Sequence, residues 1–281
     1  MTHVRVAGAA LVVAALAVPA ASFGHAGGSV RAAAKKPKVP VITMSGSTSV
    51  APLAAKLAKR YLKQYPRTVK FKLAQGGSDV GVADVAKGRV TIGNSSRDPK
   101  PSDPSGLNFN KIARDAICVV TNPGNAVGDL SQSAVQDIFS GKVRDWGDVP
   151  GASASGPINL VVRTPASGTQ DAFQKLFMGS AKIADSAAQK ASNGLVQEAV
   201  KSDEQAIGYV SLAFAQGLHS VTFKGTACTL RDAKSGAYEG TRNFWMVTRG
   251  APTGPAKKFI SWIQTNANAA KVISTEWVPI Q

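Results

Sequence analysis

Three times in this chain of 281 residues, a short apolar run gives way to a turn of serine, threonine and glycine and then to a stretch of helical periodicity. Residues 39–44 lead into Ser45-Gly46-Ser47-Thr48-Ser49, after which Leu53, Leu57, Tyr61 and Leu62 recur at helical spacing, with Lys56, Lys59, Arg60 and Lys63 on the other face. Residues 69–73 lead into Gln75-Gly76-Gly77-Ser78 and a helix ending near Lys87-Gly88. Residues 158–162 run into Arg163-Thr164-Pro165-Ala166-Ser167-Gly168-Thr169 and a helix that buries Phe173, Leu176 and Phe177, with Ser167 and Gln170 spaced as a capping box. A further run, residues 90–93, ends in Asn94-Ser95-Ser96-Arg97. Strand alternating with helix in this way dictates an α/β fold with mixed, mostly parallel sheets.

The order of the remaining segments points to two lobes. Residues 117–121 read as a strand that carries the chain out of the first lobe, and a helix over 131–140, stopped by Gly141, belongs to the second. Residues 244–248 form the last strong strand, and a helix over 255–264 with Phe259, Ile260 and Ile263 closes the chain. A first lobe of residues 40–115 plus 246–281 and a second of 116–245 are therefore expected, with a cleft at the hinge made by the two crossovers.

The turns carry the chemistry. A helix N-terminus presents unpaired backbone N–H groups and a partial positive charge, which makes a hydroxyl-rich turn feeding a helix a natural anion site. A single serine at such a turn ordinarily caps its own helix and does nothing more. Recurrence changes the weighing, because the carboxyl ends of strands in open α/β sheets line one crevice, so turns from both lobes can meet on one small ligand. Arg163 and Arg97 each follow a strand and offer a fixed fork of donors suited to a tetrahedral oxyanion.

Composition narrows the class. With 44% hydrophobic and 18% charged residues the chain has material for a sizeable core. Arg5 followed by an apolar run over residues 7–21 and small residues to Ala26 reads as an export signal over 1–26, too short to span a bilayer, and no cysteine follows it to take a lipid. Residues 27–39 read as a flexible basic linker. Setting aside the five cations of residues 1–40 from the net charge of +16 leaves a body of +11, which draws in anions. Aromatics at 6% and the lack of an arginine-rich recognition segment argue against nucleic acid as the partner. Cys118 and Cys228 are either a bridge or buried thiols, and an exported chain permits the first. One histidine beyond the signal, His219, and two cysteines cannot build a usual zinc site, so no metal or cofactor is expected. A serine hydrolase would need His219 beside one of these serines, whereas Gly217-Leu218-His219 reads as a helix end. A surface protein that binds acidic polymers through its basic body is a third reading, one in which Arg163 would be dispensable.

Taken in order, Ser45-Gly46-Ser47-Thr48-Ser49-Val50-Ala51-Pro52-Leu53, Ile92-Gly93-Asn94-Ser95-Ser96-Arg97, Ile138-Phe139-Ser140-Gly141-Lys142 with Trp146, Arg163 with Ser167-Gly168-Thr169, and the closing Phe259-Ile260-Ser261-Trp262 and Val278-Pro279 resemble the phosphate-binding proteins of ABC phosphate transporters. The resemblance implies a two-lobed type II periplasmic-binding-protein fold and a non-enzymatic, monomeric, extracytoplasmic protein that passes inorganic phosphate to a membrane permease. It implies a ligand set of Thr48, Ser49, Ser78, Ser96, Arg163, Ser167, Gly168 and Thr169, with Ser47, Asp79 and Arg97 as further candidates. One departure bears on selectivity: family members place aspartates where this chain has Ser96 and Pro165. A serine hydroxyl donates or accepts, whereas a carboxylate only accepts and repels full ionisation of its ligand, so sulfate and arsenate stay open as alternatives to phosphate. Asp79 is the residue that could replace the missing acceptor by turning inward.

Overall fold

A computed structural model describes residues 38–280, and the expected signal over 1–26 and nearly all of the basic linker lie outside the described residues. In chain order the elements are β1 (Val41–Gly46), α1 (Val50–Gln64), β2 (Lys70–Leu73), α2 (Ser78–Ala86), β3 (Ile92–Ser95), β4 (Leu107–Thr121), β5 (Asp129–Leu130), α3 (Gln132–Phe139), β6 (Asn159–Arg163) and α4 (Gly168–Phe173). There follow β7 (Ala188–Lys190), α5 (Asn193–Lys201), β8 (Ala206–Ser211), β9 (His219–Ser220), β10 (Thr222–Phe223), α6 (Leu230–Ser235), β11 (Thr241–Arg249), α7 (Gly254–Thr265) and α8 (Ala267–Ile273).

The periodicity of α1 is realised as read: Val50, Leu53, Ala54, Leu57 and Tyr61 are buried. The strands run in the order β2-β1-β3-β11-β4-β8-β6-β7. Pairing is parallel for β1 with β2 and β3 and for β6 with β7 and β8, and antiparallel wherever β11 or β4 takes part. The result is a two-lobed, mixed α/β molecule.

The described residues form two large cores and a small third one of Val82, Val85 and Val247. One large core gathers Ile42, Met44, Leu57, Ile92, Phe244 and Phe259 around the first sheet, and the other gathers Val119, Phe139, Trp146, Phe173, Phe177 and Tyr209 around the second. Tyr238 and Val278 pack in the second core and Phe244 in the first, so the chain changes sides between Tyr238 and Phe244 and again near its C-terminus. At the junction lies β4, which pairs with β11 from Leu107 to Ala116 and then with β8 from Ile117 to Thr121.

Several local expectations are corrected. The strand expected over 117–121 begins ten residues earlier; Asn108, Asn110, Lys111 and Arg114 interrupt the apolar signal there, but β11 supplies backbone partners along the whole stretch. The strand expected over 90–93 lies at Ile92–Ser95, because its parallel register with β1 pairs Met44 with Ile92 and Gly46 with Asn94. His219 does not end a helix. Gly217, at φ 79°, turns the chain into β9, where His219 pairs with Thr121 and its Nε2 lies 2.6 Å from Val127 O. Cys118 of β4 and Cys228 form a disulfide with a Cα–Cα distance of 5.5 Å.

Candidate functional site

Ser47 organises the first turn. Its N–H donates to Asn94 O at 2.9 Å, and its Oγ accepts from Ser49 N at 3.2 Å and Val50 N at 3.3 Å, capping α1. The same Oγ donates to Ser96 Oγ at 2.8 Å, which joins the first turn to the end of β3. Ser78, opening α2, accepts from Ser96 N at 3.0 Å and lies 3.3 Å from Ser96 Oγ. This approach needs glycine: Gly46 sits at φ +121°, and a Cβ there would meet Asn94 O at 2.3 Å and Gly81 Cα at 2.8 Å. The three turns of the first lobe are thereby pressed into one patch.

The second lobe closes on that patch through α4. Ser167 caps this helix, accepting from Thr169 N at 3.1 Å and Gln170 N at 3.4 Å. The reciprocal half of the expected capping box is not made, because Tyr209 Oη donates to Gln170 Oε1 and Ser167 N turns to Thr164 O. A Cβ on Gly168 would lie 2.3 Å from Ser78 Oγ and 2.7 Å from Ser96 Oγ, so only glycine lets the two lobes come this near. Thr169 Oγ1 is 3.0 Å from Ser49 Oγ, and Asn193 Nδ2, at the start of α5, donates to Ser49 Oγ at 2.8 Å and Thr48 Oγ1 at 3.1 Å. Asp79 N donates to Ala166 O across the same seam at 3.1 Å, and Lys100 pairs with Asp171 at 2.8 Å.

Three arginines occupy this region in different electrostatic conditions. Arg163, 2% exposed, is held by Lys190 O on Nε at 3.1 Å, Ala191 O on Nη2 at 2.9 Å and Thr169 Oγ1 on Nη1 at 3.4 Å. Among the described residues no carboxylate pairs with it. Burial, reinforced by the nearby charge of Arg242, pushes the guanidinium down to about 10. Arg242, by contrast, is buried against Asp115, with Nη2 2.8 Å and Nε 3.1 Å from Oδ2. Its Nη2 also donates to Ser49 Oγ at 2.9 Å, while Nη1 is buried with no partner. Burial pushes Asp115 up and Arg242 pulls it back. Arg97 is wholly engaged elsewhere, with Nε on Asp79 at 2.5 Å and the two Nη atoms on Asp103 at 2.9 and 2.6 Å.

Of the residues expected from sequence, Ser47, Thr48, Ser49, Ser78, Ser96, Arg163, Ser167, Gly168 and Thr169 form one connected, buried cluster drawn from both lobes. Asp79 and Arg97 face each other, and Asp79 does not turn inward as an acceptor. Asn193, Arg242 and Asp115 join the cluster without having been anticipated. Arg242 carried one legible signal, as a cation at the start of an apolar strand, where Arg163 stands at the end of one. The arrangement suits a small, dehydrated anion: hydroxyls, helix N-termini and a cation without a counter-charge among the described residues meet, buried from solvent. Among the described residues there is no cluster of histidine, cysteine and carboxylate able to hold a metal, and no helix long and apolar enough to cross a membrane.

Comparison with known proteins places this geometry in context. The PBP superfamily domain matches residues 31–267. The phosphate-binding protein PstS of Bacillus subtilis is 26% identical, over 96% of this chain and 92% of its own length. A substrate-binding protein from Clostridium perfringens crystallised with bound phosphate superposes with a TM-score of 0.80 at 28% identity, covering 86% of this chain and all of that one. An ABC-type phosphate transport receptor from Vibrio cholerae superposes with a TM-score of 0.68 at 27% identity, covering 84% of this chain and 99% of the other.

Proposed function

Because the chain belongs to the PBP superfamily, we propose that it captures inorganic phosphate outside the cytoplasm and delivers it to the permease of an ABC importer. The observation that carries this reading is Arg163: a guanidinium 2% exposed, with no carboxylate among the described residues to balance it, set among buried hydroxyls from both lobes. A buried ion without a counter-charge is costly by several kcal/mol, roughly, and a bound dianion supplies what the protein does not. The ligand lies between Thr48, Ser49, Ser78 and Ser96 of the first lobe and Arg163, Ser167, Gly168 and Thr169 of the second, with Arg242 and Asn193 behind Ser49. The N-termini of α1 and α2 add their partial charges.

In the same reading the lobes are residues 40–115 with 246–281 and residues 116–245, apart from Phe244, which packs in the first core, and Val278, which packs in the second; residues 1–26 direct export and are removed, and 27–39 tether the body. The protein acts as a monomer, without nucleic acid or cofactor. It is not an enzyme, and His219, bonded to Val127 O, is unavailable as a base for any serine of the cluster. Lobe closure presents to the transporter the surface joined by Asp79 N to Ala166 O and by Lys100 to Asp171. Calorimetric titration of phosphate into the mature protein tests the proposal. Saturable binding tighter than about 100 μM, equivalent to about −5.5 kcal/mol, is expected, and its absence overturns the reading.

A further inference from the structure

Resting on the capture reading, we propose that the site presents its ligand with donors and no free carboxylate, recognises tetrahedral dianions by charge and shape without requiring a proton on the ligand, and therefore takes sulfate in competition with phosphate. The polarity follows from which lone pairs the protein itself occupies. Ser47 Oγ accepts two backbone N–H groups of α1, so its own hydrogen goes to Ser96 Oγ. Ser96 Oγ, accepting that hydrogen, has its own to give, and Ser78 Oγ, accepting from Ser96 N, is in the same position. One hydrogen suffices for the 3.3 Å contact between them, which leaves the other for the ligand.

On the opposite side the logic repeats. Ser49 Oγ accepts from Asn193 Nδ2 and Arg242 Nη2, so it donates towards Thr169 Oγ1. Thr169 Oγ1 also accepts from Arg163 Nη1, and its hydrogen is turned outward. Thr48 Oγ1 accepts from Asn193, and Ser167 Oγ accepts two N–H groups of α4. Arg242 Nη1 is a further buried donor without a partner.

The carboxylates that would repel an unprotonated ligand are all engaged. Asp115 Oδ2 takes two bonds from Arg242, while Ser211 Oγ and the N–H of Ala116 also donate to this carboxylate. Asp79 and Asp103 hold Arg97, and Asp171 holds Lys100 and Lys175. Asn193 Oδ1 accepts from Ser211 N. Asn94 Oδ1 is buried without a donor, but an amide oxygen has no charge with which to repel a fully ionised anion. Rejection of an isosteric dianion by charge needs a carboxylate free to face it, and Asp115, the carboxylate that joins the cluster, is spent on Arg242, Ser211 and Ala116. Arg163 keeps its proton to about 10, so its guanidinium stays charged from pH 6 to 9.

The test is displacement of radiolabelled phosphate from the mature protein by sulfate at pH 6 and pH 8.5. Sulfate is expected to compete with a dissociation constant within about tenfold of phosphate's and to bind equally at both pH values, since the 1–3 kcal/mol of an unmatched polar contact, roughly five- to 150-fold, is not exacted from it. Phosphate is expected to bind more tightly at the higher pH, following its dianion. Phosphate that saturates the protein but resists a 1,000-fold excess of sulfate overturns this proposal and leaves capture standing, whereas binding of neither anion overturns both. Ser96→Asp, its fold checked by far-UV circular dichroism, installs the missing carboxylate. It is expected to weaken sulfate at least 30-fold more than phosphate, and equal losses of the two anions count against the proposal.

Discussion

Replacing Arg163 by methionine separates ligand recognition from stability. In the free protein the side chain is a desolvated cation held by two backbone carbonyls, Lys190 O and Ala191 O, and a hydroxyl. Methionine removes the burial penalty of the charge, roughly several kcal/mol, while stripping two carbonyls of their donors at about 1–3 kcal/mol each. The terms oppose, and the free variant should unfold within about 2 kcal/mol of the native protein. Binding has no such compensation: truncating one partner of a buried hydrogen-bonded charge pair costs about 2–5 kcal/mol, a loss of roughly 30- to 5,000-fold in phosphate affinity. Thermal unfolding with and without ligand reads both quantities. At phosphate one hundred times the native dissociation constant the native protein gains about 2.7 kcal/mol, which for a folded body of residues 39–281 is about 5–11 °C. A variant weakened 30-fold or more gains less than about 0.9 kcal/mol and shifts by under about 4 °C. Arg163→Met with a native-sized phosphate shift would refute the reasoning, because the unbalanced cation would then have no part in holding the anion.

Arg242→Met is expected to behave in the opposite manner, destabilising the free protein by about 3–5 kcal/mol in urea unfolding because it strands the buried Asp115 carboxylate, with Asp115→Asn recovering part of the loss in the double variant. Gly168→Ala should bind phosphate at least tenfold more weakly with little change in the free protein's melting temperature, since its Cβ would lie 2.3 Å from Ser78 Oγ only when the lobes meet; native affinity would show that closure does not bring these turns together. Cys118→Ala with Cys228→Ala opens a loop with a sequence separation of 110 and should cost about 2–5 kcal/mol, measured by unfolding under oxidising conditions. Burial depresses Arg163 to about 10, so phosphate affinity should hold up to that pH and fall above it. The sign for stability is the reverse: the unfolded chain holds this proton more tightly, so the Arg163 contribution to the free fold rises as pH climbs past about 10, which calorimetry at pH 9 and 11 distinguishes.

Sequence by itself determined the parts whose physics is local. Leu53, Leu57 and Tyr61 announce α1 because helical spacing puts them on one face, and the serine-rich turns announce themselves because capping a helix is a matter of three or four consecutive residues. That is why nine of the candidate site residues were legible before any coordinates. Tertiary structure decided what depends on neighbours remote in the chain. Asn108 to Arg114 become strand only because β11 lies beside them, the thiols of Cys118 and Cys228 meet across 110 residues, and Gln170 leaves its expected cap for Tyr209. The meeting of Arg242 with Ser49, separated by 193 residues, and of Asn193 with Thr48 likewise exists only in the folded molecule. Charge state followed the same division: the three arginines Arg97, Arg163 and Arg242 are chemically identical as letters, and only packing leaves Arg163 buried without a carboxylate while giving the other two theirs.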